Sequence, residues 1–436
     1  MNAPTLTARD ADLDAARRAV TAAAEEADRA LDAAPARRER GPERQRALDE
    51  LVRAARRARA ALMARHGQRV YDELTDGGTA RPTLAELVFA AAERFPGLVP
   101  TRERLAAEAG LTQAEKDGHE IDQAIFLAGV LRAERAGAHL LESMLQPTPE
   151  ALALLPHYRE TGHVDLGRID LRRRDGVAEL TITRPERLNA EDNALVAALD
   201  TAVDLVLADD LSVVGVLRGG VMTHPRYVGR RVFCAGIDLV DLHHGRISFV
   251  DFLVRRELAP IAKIWRGLRI GDDDLLEPPR AKPWIAAVDT FAIGGGMQLL
   301  FVFDRVLAAR DAYFSLPAAA EGIVPGAGNL RLPRLAGNRA ARQVILSGRR
   351  IRADEPLAAW ICDEVVEPDR LGEEIGRHAA GLTLPAVRAN RELLNLAEEP
   401  PWATQQYFAE FAVRQAQRMY APDVLAKVSR FAAKGA

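Results

Sequence analysis

Apolar residues recur at helical spacing through the first third of the chain. In residues 48–67 the apolar positions form one stripe and arginines cover the opposite side, which predicts an amphipathic helix ending at its final glycine. Thr83 and Glu86 have the spacing of a capping box and predict the start of the next helix. A third helix is predicted over 120–145. These patterns predict an all-helical N-terminal domain over residues 1–165.

The periodicity changes after residue 163. An apolar run at 169–171 and an alternating run at 178–182 flank Asp175-Gly176, which predicts a β-hairpin. Helices and strands then alternate, as is typical of an α/β layer fold. The predicted elements are helices at 192–208 and 249–266 and strands at 213–217, 231–234, 284–288 and 305–308.

The last part of the chain again has a helical pattern, and no internal repeat interrupts it. Helices are predicted at 384–397, 402–420 and 422–433. The length of 436 residues is typical of about three domain-sized units. We therefore predict an α/β core over 166–350 and a helical C-terminal region over 351–436.

Charge and composition exclude several classes of protein. The chain has 59 Lys and Arg against 62 Asp and Glu and is 48% hydrophobic, which is typical of a globular protein rather than a disordered chain or a strongly basic nucleic-acid binder. The arginine-rich helix faces have acidic residues nearby, so we interpret them as solvated surfaces. Two cysteines, Cys234 and Cys362, are too few for a disulfide framework, which favours the cytosol.

The sequence also carries no recognisable metal, secretion or membrane motif. The nine histidines lack the spacing of a metal site, so we predict no metal. The N-terminal residues contain no apolar core of a signal peptide, and no window approaches 18 uncharged apolar residues. We expect neither a membrane nor a nucleic acid as a partner.

Two glycine turns are candidate anion sites. Residues 233–239 read FCAGIDL and residues 288–298 read VDTFAIGGGMQ, each a strand followed by glycine and a helix start. The first amides of a helix lack intrahelical acceptors and attract negative charge. One such turn alone is more typical of a connecting loop. Two convergent turns form an oxyanion hole, the group of amides that stabilises a developing negative oxygen.

Four phrases in order resemble the enoyl-CoA hydratase/isomerase superfamily, also called the crotonase superfamily. They are RPERLNA at 184–190, FCAGIDL at 233–239, PWIAAVDTFAIGGGMQL at 283–299 and PGAG at 325–328. The resemblance implies a core of repeated ββα units, an acyl-CoA thioester substrate and a homo-oligomer, either a trimer or a dimer of trimers. It assigns coenzyme A binding and catalysis to the core over 166–350, and oligomerisation and site closure to the helical region over 351–436. It also implies that the amides of Ile237 and Gly295 bind the thioester carbonyl while an enolate forms.

Both glutamates that the hydratases use for proton transfer are absent. Gln298 occupies the position of the first, and an amide cannot accept a proton at neutral pH. Ala318 follows Pro317 where the second glutamate is expected. Addition of water to a double bond is therefore excluded as the expected reaction. The combination, with the long helical extension, resembles the cofactor-independent dioxygenases of the superfamily, in which an arylacetyl-CoA carbanion reacts directly with O2 and no metal or other cofactor is needed.

The resemblance also implies roles for further residues. Gln298 orients the substrate, while Glu191 and Arg256 bind ring hydroxyls, with the neighbouring Arg255 as an alternative to Arg256. Glu191 is equally consistent with a charge at a helix N-terminus. The remaining substrate-binding candidates are Arg187, Ala190, Ala235, Asp238, Gly294 and, for coenzyme A, Lys427 and Arg430. A dry oxygen pocket is expected from Leu316, Ala318, Ala319, Ile323, Val324 and Pro325, although each of them is also a normal core residue.

Two other functions remain open from the sequence. The first is a thioester hydrolase or isomerase of the same superfamily that uses an unidentified carboxylate. The second is a non-catalytic scaffold, supported only by the arginine-rich helices. A covalent mechanism through Cys234 lacks the activating histidine that such chemistry needs.

Overall fold

Seven α-helices precede the first strand in the described part of the chain, which comprises residues 8–271 and 279–435 of a computed structural model. They are α1 (Ala8–Asp32), α2 (Pro42–Leu74), α3 (Leu84–Arg94), α4 (Arg102–Ala107), α5 (His119–Arg132), α6 (Glu134–Ser143) and α7 (Pro149–Thr161). None of the helices in the described ranges combines the length and apolar character needed to cross a membrane.

The helical prediction is confirmed, with two corrections to the helix ends. The capping box forms, because Thr83 Oγ1 accepts from the Glu86 amide and the Glu86 carboxylate accepts from the Thr83 amide. Gly67 does not end its helix but lies inside α2, where a Cβ would lie 2.8 Å from the carbonyl oxygen of Gly129. The glycine therefore permits close packing of α2 on α5. The predicted helix over 120–145 is broken at Ala133, whose backbone is extended.

Ten strands form two mixed sheets in the described residues. The strands are β1 (His163–Asp165), β2 (Ile169–Arg174), β3 (Val177–Ile182), β4 (Val214–Gly219), β5 (Trp284–Val288), β6 (Phe291–Ile293), β7 (Arg305–Ala309), β8 (Tyr313–Ser315), β9 (Ile351–Arg352) and β10 (Glu364–Val366). The larger sheet has the order β1-β2-β3-β4-β5-β7-β10 and is parallel from β3 onward, and the smaller has the order β6-β8-β9.

Local sequence explains the start of the larger sheet. Asp175 and Gly176 both have positive φ, 49° and 79°, as the predicted two-residue hairpin between β2 and β3 requires. The prediction of a strand over 231–234 is wrong. The residues of this segment form only isolated bridges, Arg231 with Val221 and Cys234 with Ala292, and no ladder of consecutive pairs.

The remaining α-helices lie between and after the strands along the chain. They are α8 (Asn193–Ala208), α9 (Leu239–His243), α10 (Ala262–Arg266), α11 (Gly295–Leu299), α12 (Ala318–Glu321), α13 (Gly328–Ser347), α14 (Leu371–Leu382), α15 (Pro385–Glu398), α16 (Pro401–Met419) and α17 (Pro422–Gly435). Side chains alternate across the central strands, so that Leu217 and Ala286 join the main core with α8 while Val216 and Ile285 pack against α14. The α/β fold class is thus confirmed.

The segment predicted as one helix over 249–266 is helical but mostly wider than an α-helix. It has π-helical turns over Phe249–Val254 and Glu257–Ile261 and becomes α10 only at Ala262. Pro260 lies within the second turn and has no amide hydrogen, so it cannot donate an α-helical hydrogen bond. Such π-turns often occur at functional sites, and the second one begins at Glu257, directly after Arg256.

Contacts divide the chain into two compact units. One comprises residues 1–143, 242–250 and 402–436, and the other comprises residues 144–241 and 251–401. Both sheets belong to the second unit, whereas α16 and α17 belong to the first. The division into 1–165, 166–350 and 351–436 stays a prediction about the domains.

A buried ion cluster links the helical segment 249–266, here called the π-helical segment, to α8. Lys263 is 1% exposed, and its Nζ lies 2.7 Å from Asp200 Oδ1 and 2.6 Å from Asp204 Oδ1. Arg255 adds a second cation at 2.9 Å from Asp200 Oδ2. Burial raises the pKa of Asp204 to about 7, despite the lowering effect of the nearby lysine. Two buried carboxylates therefore depend on Lys263 for compensation.

Lys263→Met should destabilise the chain by about 3–5 kcal/mol, because it leaves Asp204 buried without its cation. The raised pKa of Asp204 means that this carboxyl favours the folded state when protonated, so stability falls as pH rises toward 7. The loss in the variant should therefore be larger at about pH 8 than at about pH 5. Urea unfolding measures both values, with exposed Arg57→Met as control. A loss below about 1 kcal/mol at both pH values would contradict this account.

Candidate active site

The first glycine turn leaves the Ile237 amide without a hydrogen-bond partner in the described part of the chain. The Glu191 amide donates to the Gly236 carbonyl at 2.7 Å, and the Asp238 amide donates to the Glu191 carbonyl at 2.9 Å. This single parallel bridge brackets Ile237 and points its amide away from Glu191. Gly236 has φ of 82°, which favours glycine.

The phrase RPERLNA holds this turn in place. Buried Arg184 lies 2.9 Å from Asp238 Oδ2 through Nη1 and donates to the Ala190 carbonyl at 2.8 Å. Asn189 Nδ2 donates to the Val232 carbonyl at 2.7 Å. Sequence reasoning assigned no role to Arg184 or Asn189, although both lie in the quoted motif. Their hydrogen bonds explain why the motif carries an arginine and an asparagine at these two positions.

The second glycine turn meets the first. Gly294 has φ of 56°, and Gly295 follows as the first residue of α11, so its amide has no acceptor within that helix. A Cβ on Gly236 would lie 3.1 Å from the Gly295 nitrogen and 2.9 Å from the Ile293 carbonyl oxygen. The two turns therefore approach at backbone contact distance. This convergence is the arrangement expected for the two amides of an oxyanion hole.

A buried guanidinium lies beside the second turn. Arg256 is 3% exposed, and its Nε donates to Glu191 Oε1 at 2.8 Å. Its Nη1 donates to Glu257 Oε1 at 2.8 Å and to Gln298 Oε1 at 3.1 Å. Its Nη2 donates to the Gly295 carbonyl at 2.8 Å. Arg256 thus connects the π-helical segment, the first turn and the start of α11.

Glu257 is the residue that sequence reasoning missed. Its Oε1 accepts from Gln298 Nε2 at 2.6 Å, and its Oε2 accepts from the Ala327 amide at 3.1 Å. Position 298 carries an amide instead of the family glutamate, but a carboxylate from another element, Glu257, lies directly beside it. A helical period of 3.6 residues does not place Glu257 there, because the segment is π-helical. The proximity of Glu257 to Arg256 in the chain was the available signal.

The charges in the site affect the pKa values of Arg256 and Cys234. Burial lowers the pKa of Arg256, but the carboxylates of Glu191 and Glu257 outweigh it and hold this pKa above its usual range. Burial raises the pKa of the Cys234 thiol well above its ordinary value, and Glu191 raises it further. A buried thiol of high pKa is a poor nucleophile. Cys234 is therefore part of the turn and not a covalent catalyst.

The other predicted substrate residues are only partly brought together. Arg255 binds Asp200 at 2.9 Å, so of the two adjacent arginines Arg256 is the one in the site. Ala190 is buried behind the first turn, Ala235, Asp238 and Gly294 lie in the two turns, and Arg187 is exposed. Lys427 and Arg430 lie on α17, which belongs to the other compact unit. Their coenzyme A contacts stay predictions.

The predicted oxygen pocket is apolar but not uniformly buried. Leu316, Ala318 and Pro325 are buried, Ile323 and Val324 are half-buried, and Ala319 is exposed. Gly328 lies close to both Leu316 and Pro325, because a Cβ there would be 3.2 Å from Leu316 Cδ2 and 3.4 Å from Pro325 Cβ. These buried members can exclude water from one side of the turns. Their role with O2 stays a prediction.

A group of three potential metal ligands lies elsewhere in the described residues. Glu364, Glu374 and His378 are on β10 and α14. Arg377 already binds Glu364 and Glu374, each at 2.5 Å, and His378 Nε2 lies 2.8 Å from Glu364 Oε2. The carboxylates are therefore neutralised by protein cations, and none of these residues belongs to the two turns.

The sequence profile described as Enoyl-CoA hydratase/isomerase matches residues 172–408. Together with the two converging amides, this match shows that the chain belongs to the enoyl-CoA hydratase/isomerase family. Over 416 residues the chain is 55% identical to (3,5-dihydroxyphenyl)acetyl-CoA 1,2-dioxygenase from Amycolatopsis orientalis, covering 95% of this chain and 96% of that protein. The resemblance to the superfamily is confirmed.

Hydratase relatives match a smaller share of the chain. A probable enoyl-CoA hydratase from Rhizobium meliloti (strain 1021) is 32% identical over 227 residues, covering 51% of this chain and 79% of that protein. A solved enoyl-CoA hydratase/isomerase from Pseudoalteromonas atlantica T6c has a TM-score of 0.50 and 26% identity, covering 61% of this chain and 97% of that chain. Only the dioxygenase match among these three extends over nearly the whole chain.

Gly295→Ala should reduce the rate of acyl-CoA thioester turnover about 10²–10³-fold, the usual effect of losing one oxyanion donor. A Cβ at this position would lie 1.9 Å from Glu191 Oε2, so either the carboxylate or the residue 295 amide must move. Release of free CoA under steady-state conditions measures the effect. Gly372→Ala, where nothing lies within 4 Å of the added carbon, is the control. Turnover of the two variants at equal rates would contradict the assignment.

Proposed function

We propose that this chain is a metal- and cofactor-free dioxygenase that converts 3,5-dihydroxyphenylacetyl-CoA and O2 to 3,5-dihydroxyphenylglyoxylate and free CoA. The observation that carries the proposal is the 55% identity to the Amycolatopsis dioxygenase over 95% of the chain. The site supports it, because an oxyanion hole is combined with Gln298 and Ala318 in place of both hydratase glutamates. The glyoxylate product is a precursor of dihydroxyphenylglycine in the biosynthesis of vancomycin-type glycopeptide antibiotics.

The chemistry follows from stabilising an enolate without a protein redox group. The amides of Ile237 and Gly295 bind the thioester oxygen as one α-proton leaves, and the aryl ring delocalises the resulting carbanion. The carbanion is electron-rich enough to reduce O2. Both oxygen atoms enter the glyoxylate, the C–S bond breaks, and the two α-hydrogens leave as protons, one of which ends on the CoA thiol.

The free hydrogen-bonding positions of Arg256 and Glu191 are complementary to two ring hydroxyls. A guanidinium has five N–H donors, and four hydrogen bonds are already formed by Arg256, which leaves one N–H on Nη2. Glu191 Oε2 accepts no hydrogen bond from the described residues, since the contact with Arg256 uses Oε1. One donor and one acceptor thus remain, so that one hydroxyl can accept while the other donates.

Apolar residues near the turns, exposed leucines on α15 and the two cysteines support the proposed oxygen pocket, assembly and compartment. Leu316, Ala318 and Pro325 form the dry side on which O2 rests. The chain assembles as a homo-oligomer, supported by the exposed Leu393 and Leu394 on α15, which need an apolar cover. A reducing cytosolic compartment is supported by the two free cysteines, both of which are buried.

Glu257 favours a second candidate, a thioester hydrolase or isomerase that uses this carboxylate for proton transfer. It is the weaker candidate, because Glu257 already accepts three hydrogen bonds, from Arg256, Gln298 and Ala327.

Incubation of chelator-treated protein with 3,5-dihydroxyphenylacetyl-CoA should consume one O2 for each CoA released, because the carbanion is the only reductant required. An oxygen electrode and a thiol reagent follow the two quantities in parallel. CoA release at the same rate without oxygen would assign a hydrolase instead. Absence of both thioester binding and turnover would favour the scaffold.

Glu191→Gln and Arg256→Lys should reduce kcat/KM more for the dihydroxy substrate than for phenylacetyl-CoA, which has no ring hydroxyls. The expected difference is about 10-fold or more, in line with about 1.5–3 kcal/mol for a hydrogen bond to a charged group. Steady-state kinetics with both thioesters measure it. Equal losses on both substrates would show that these residues support the turns but do not bind the hydroxyls.

A further inference from the structure

Three side chains form a closed hydrogen-bonded ring beside the oxyanion hole. Glu257 Oε1 accepts from Gln298 Nε2 at 2.6 Å and from Arg256 Nη1 at 2.8 Å. Arg256 Nη1 also donates to Gln298 Oε1 at 3.1 Å, which closes the ring. All three side chains are buried. Each member is thereby held by the other two.

The ring determines which way the Gln298 amide points. A carboxylate only accepts hydrogen bonds and a guanidinium only donates them. Gln298 must therefore direct Nε2 at Glu257 and Oε1 at Arg256, since the reversed amide would face acceptor with acceptor and donor with donor. One N–H of Nε2 remains without an acceptor in the described part of the chain. Gln298 is thus oriented as a hydrogen-bond donor.

Backbone atoms cover the Glu257 side of the ring. A Cβ on Gly326 would lie 2.2 Å from Glu257 Oε1 and 2.1 Å from Gln298 Nε2, and the Ala327 amide binds the other Glu257 oxygen at 3.1 Å. Both Glu257 oxygens therefore already accept hydrogen bonds, whereas Glu191 Oε2 accepts none from the described residues. The contacts of Glu257 are with the residues that the proposed reaction uses.

We propose that Glu257 is a positioning residue that orients Gln298 and Arg256 and that makes an amide, not a carboxylate, necessary at position 298. The inference rests on the proposed function, because it assigns Gln298 and Arg256 to the substrate. A glutamate at 298 would place a second carboxylate about 2.6 Å from Glu257, where two negative charges cannot both persist and one must take a proton. The glutamate of the hydratases is thus incompatible with Glu257.

Three variants of the full chain test this ring: Glu257→Gln, Gln298→Glu and the exchange variant that carries both changes. Gln298→Glu adds a carboxyl whose pKa is raised in the folded state by Glu257. Stability from such a group is present at low pH and is lost as pH rises through the raised pKa. The other charged or titratable groups of the site, Arg256, Glu191 and the neutral Cys234 thiol, are the same in all variants.

The first measurement is chemical unfolding as a function of pH, which does not depend on the reaction. The denaturant midpoint of Gln298→Glu should fall relative to the parent chain between about pH 5 and pH 8. The exchange variant should show no such fall, because one carboxylate and one amide again face each other. Exposed Gln417→Glu controls for the added charge. Parallel midpoints for all chains would overturn the ring, whatever reaction the protein catalyses.

The second measurement is turnover of 3,5-dihydroxyphenylacetyl-CoA. Glu257→Gln should lower kcat/KM at least about 10-fold while α-proton exchange into D2O without oxygen continues, because a positioning residue does not accept the proton. The exchange variant should regain stability but not kcat, since residue 298 no longer donates. Complete loss of α-proton exchange in Glu257→Gln would overturn the positioning role and assign Glu257 as the base. If the parent chain consumes no O2, the proposed function fails while the unfolding result still stands.

Discussion

The buried guanidinium of Arg256 holds the site together. A cation without solvent is stable only when carboxylates and carbonyls surround it, and here Glu191, Glu257 and the Gly295 carbonyl fill that role. These partners come from the first turn, the π-helical segment and the start of α11. Loss of any partner would leave an N–H of the buried guanidinium without its acceptor. The positions of the Ile237 and Gly295 turns therefore depend on the balance of donors and acceptors around Arg256.

The same balance separates this site from a hydratase site. Two carboxylates, Glu191 and Glu257, lie near the two glycine turns, and both accept hydrogen bonds from Arg256. Gln298 is neutral and held by Glu257 and Arg256. A site that stabilises an enolate without returning a proton to it prolongs the carbanion. A carbanion with a long lifetime in a dry site is what direct reaction with O2 requires.

Much of the fold could be predicted from local patterns, since the capping box at Thr83 and the Asp175-Gly176 hairpin depend on neighbouring residues alone. The predictions failed where tertiary contacts decide. Gly67 continues its helix because α5 packs against it, and the 231–234 segment lacks strand partners beyond single bridges. In the site, the glycine turns could be found from their motifs. Glu257 could not, because its place depends on π-helical geometry that the 3.6-residue period does not encode.

The origin of the product oxygen atoms tests the central claim most directly. When the reaction is run under ¹⁸O2 in ordinary water and quenched early, the account predicts a glyoxylate that carries labelled oxygen in both its keto and carboxylate groups. The thioester oxygen would remain as the unlabelled carboxylate atom. A carboxylate without label, with its new oxygen taken from water, would show that the thioester is hydrolysed and would contradict the transfer of both atoms of O2 to the glyoxylate.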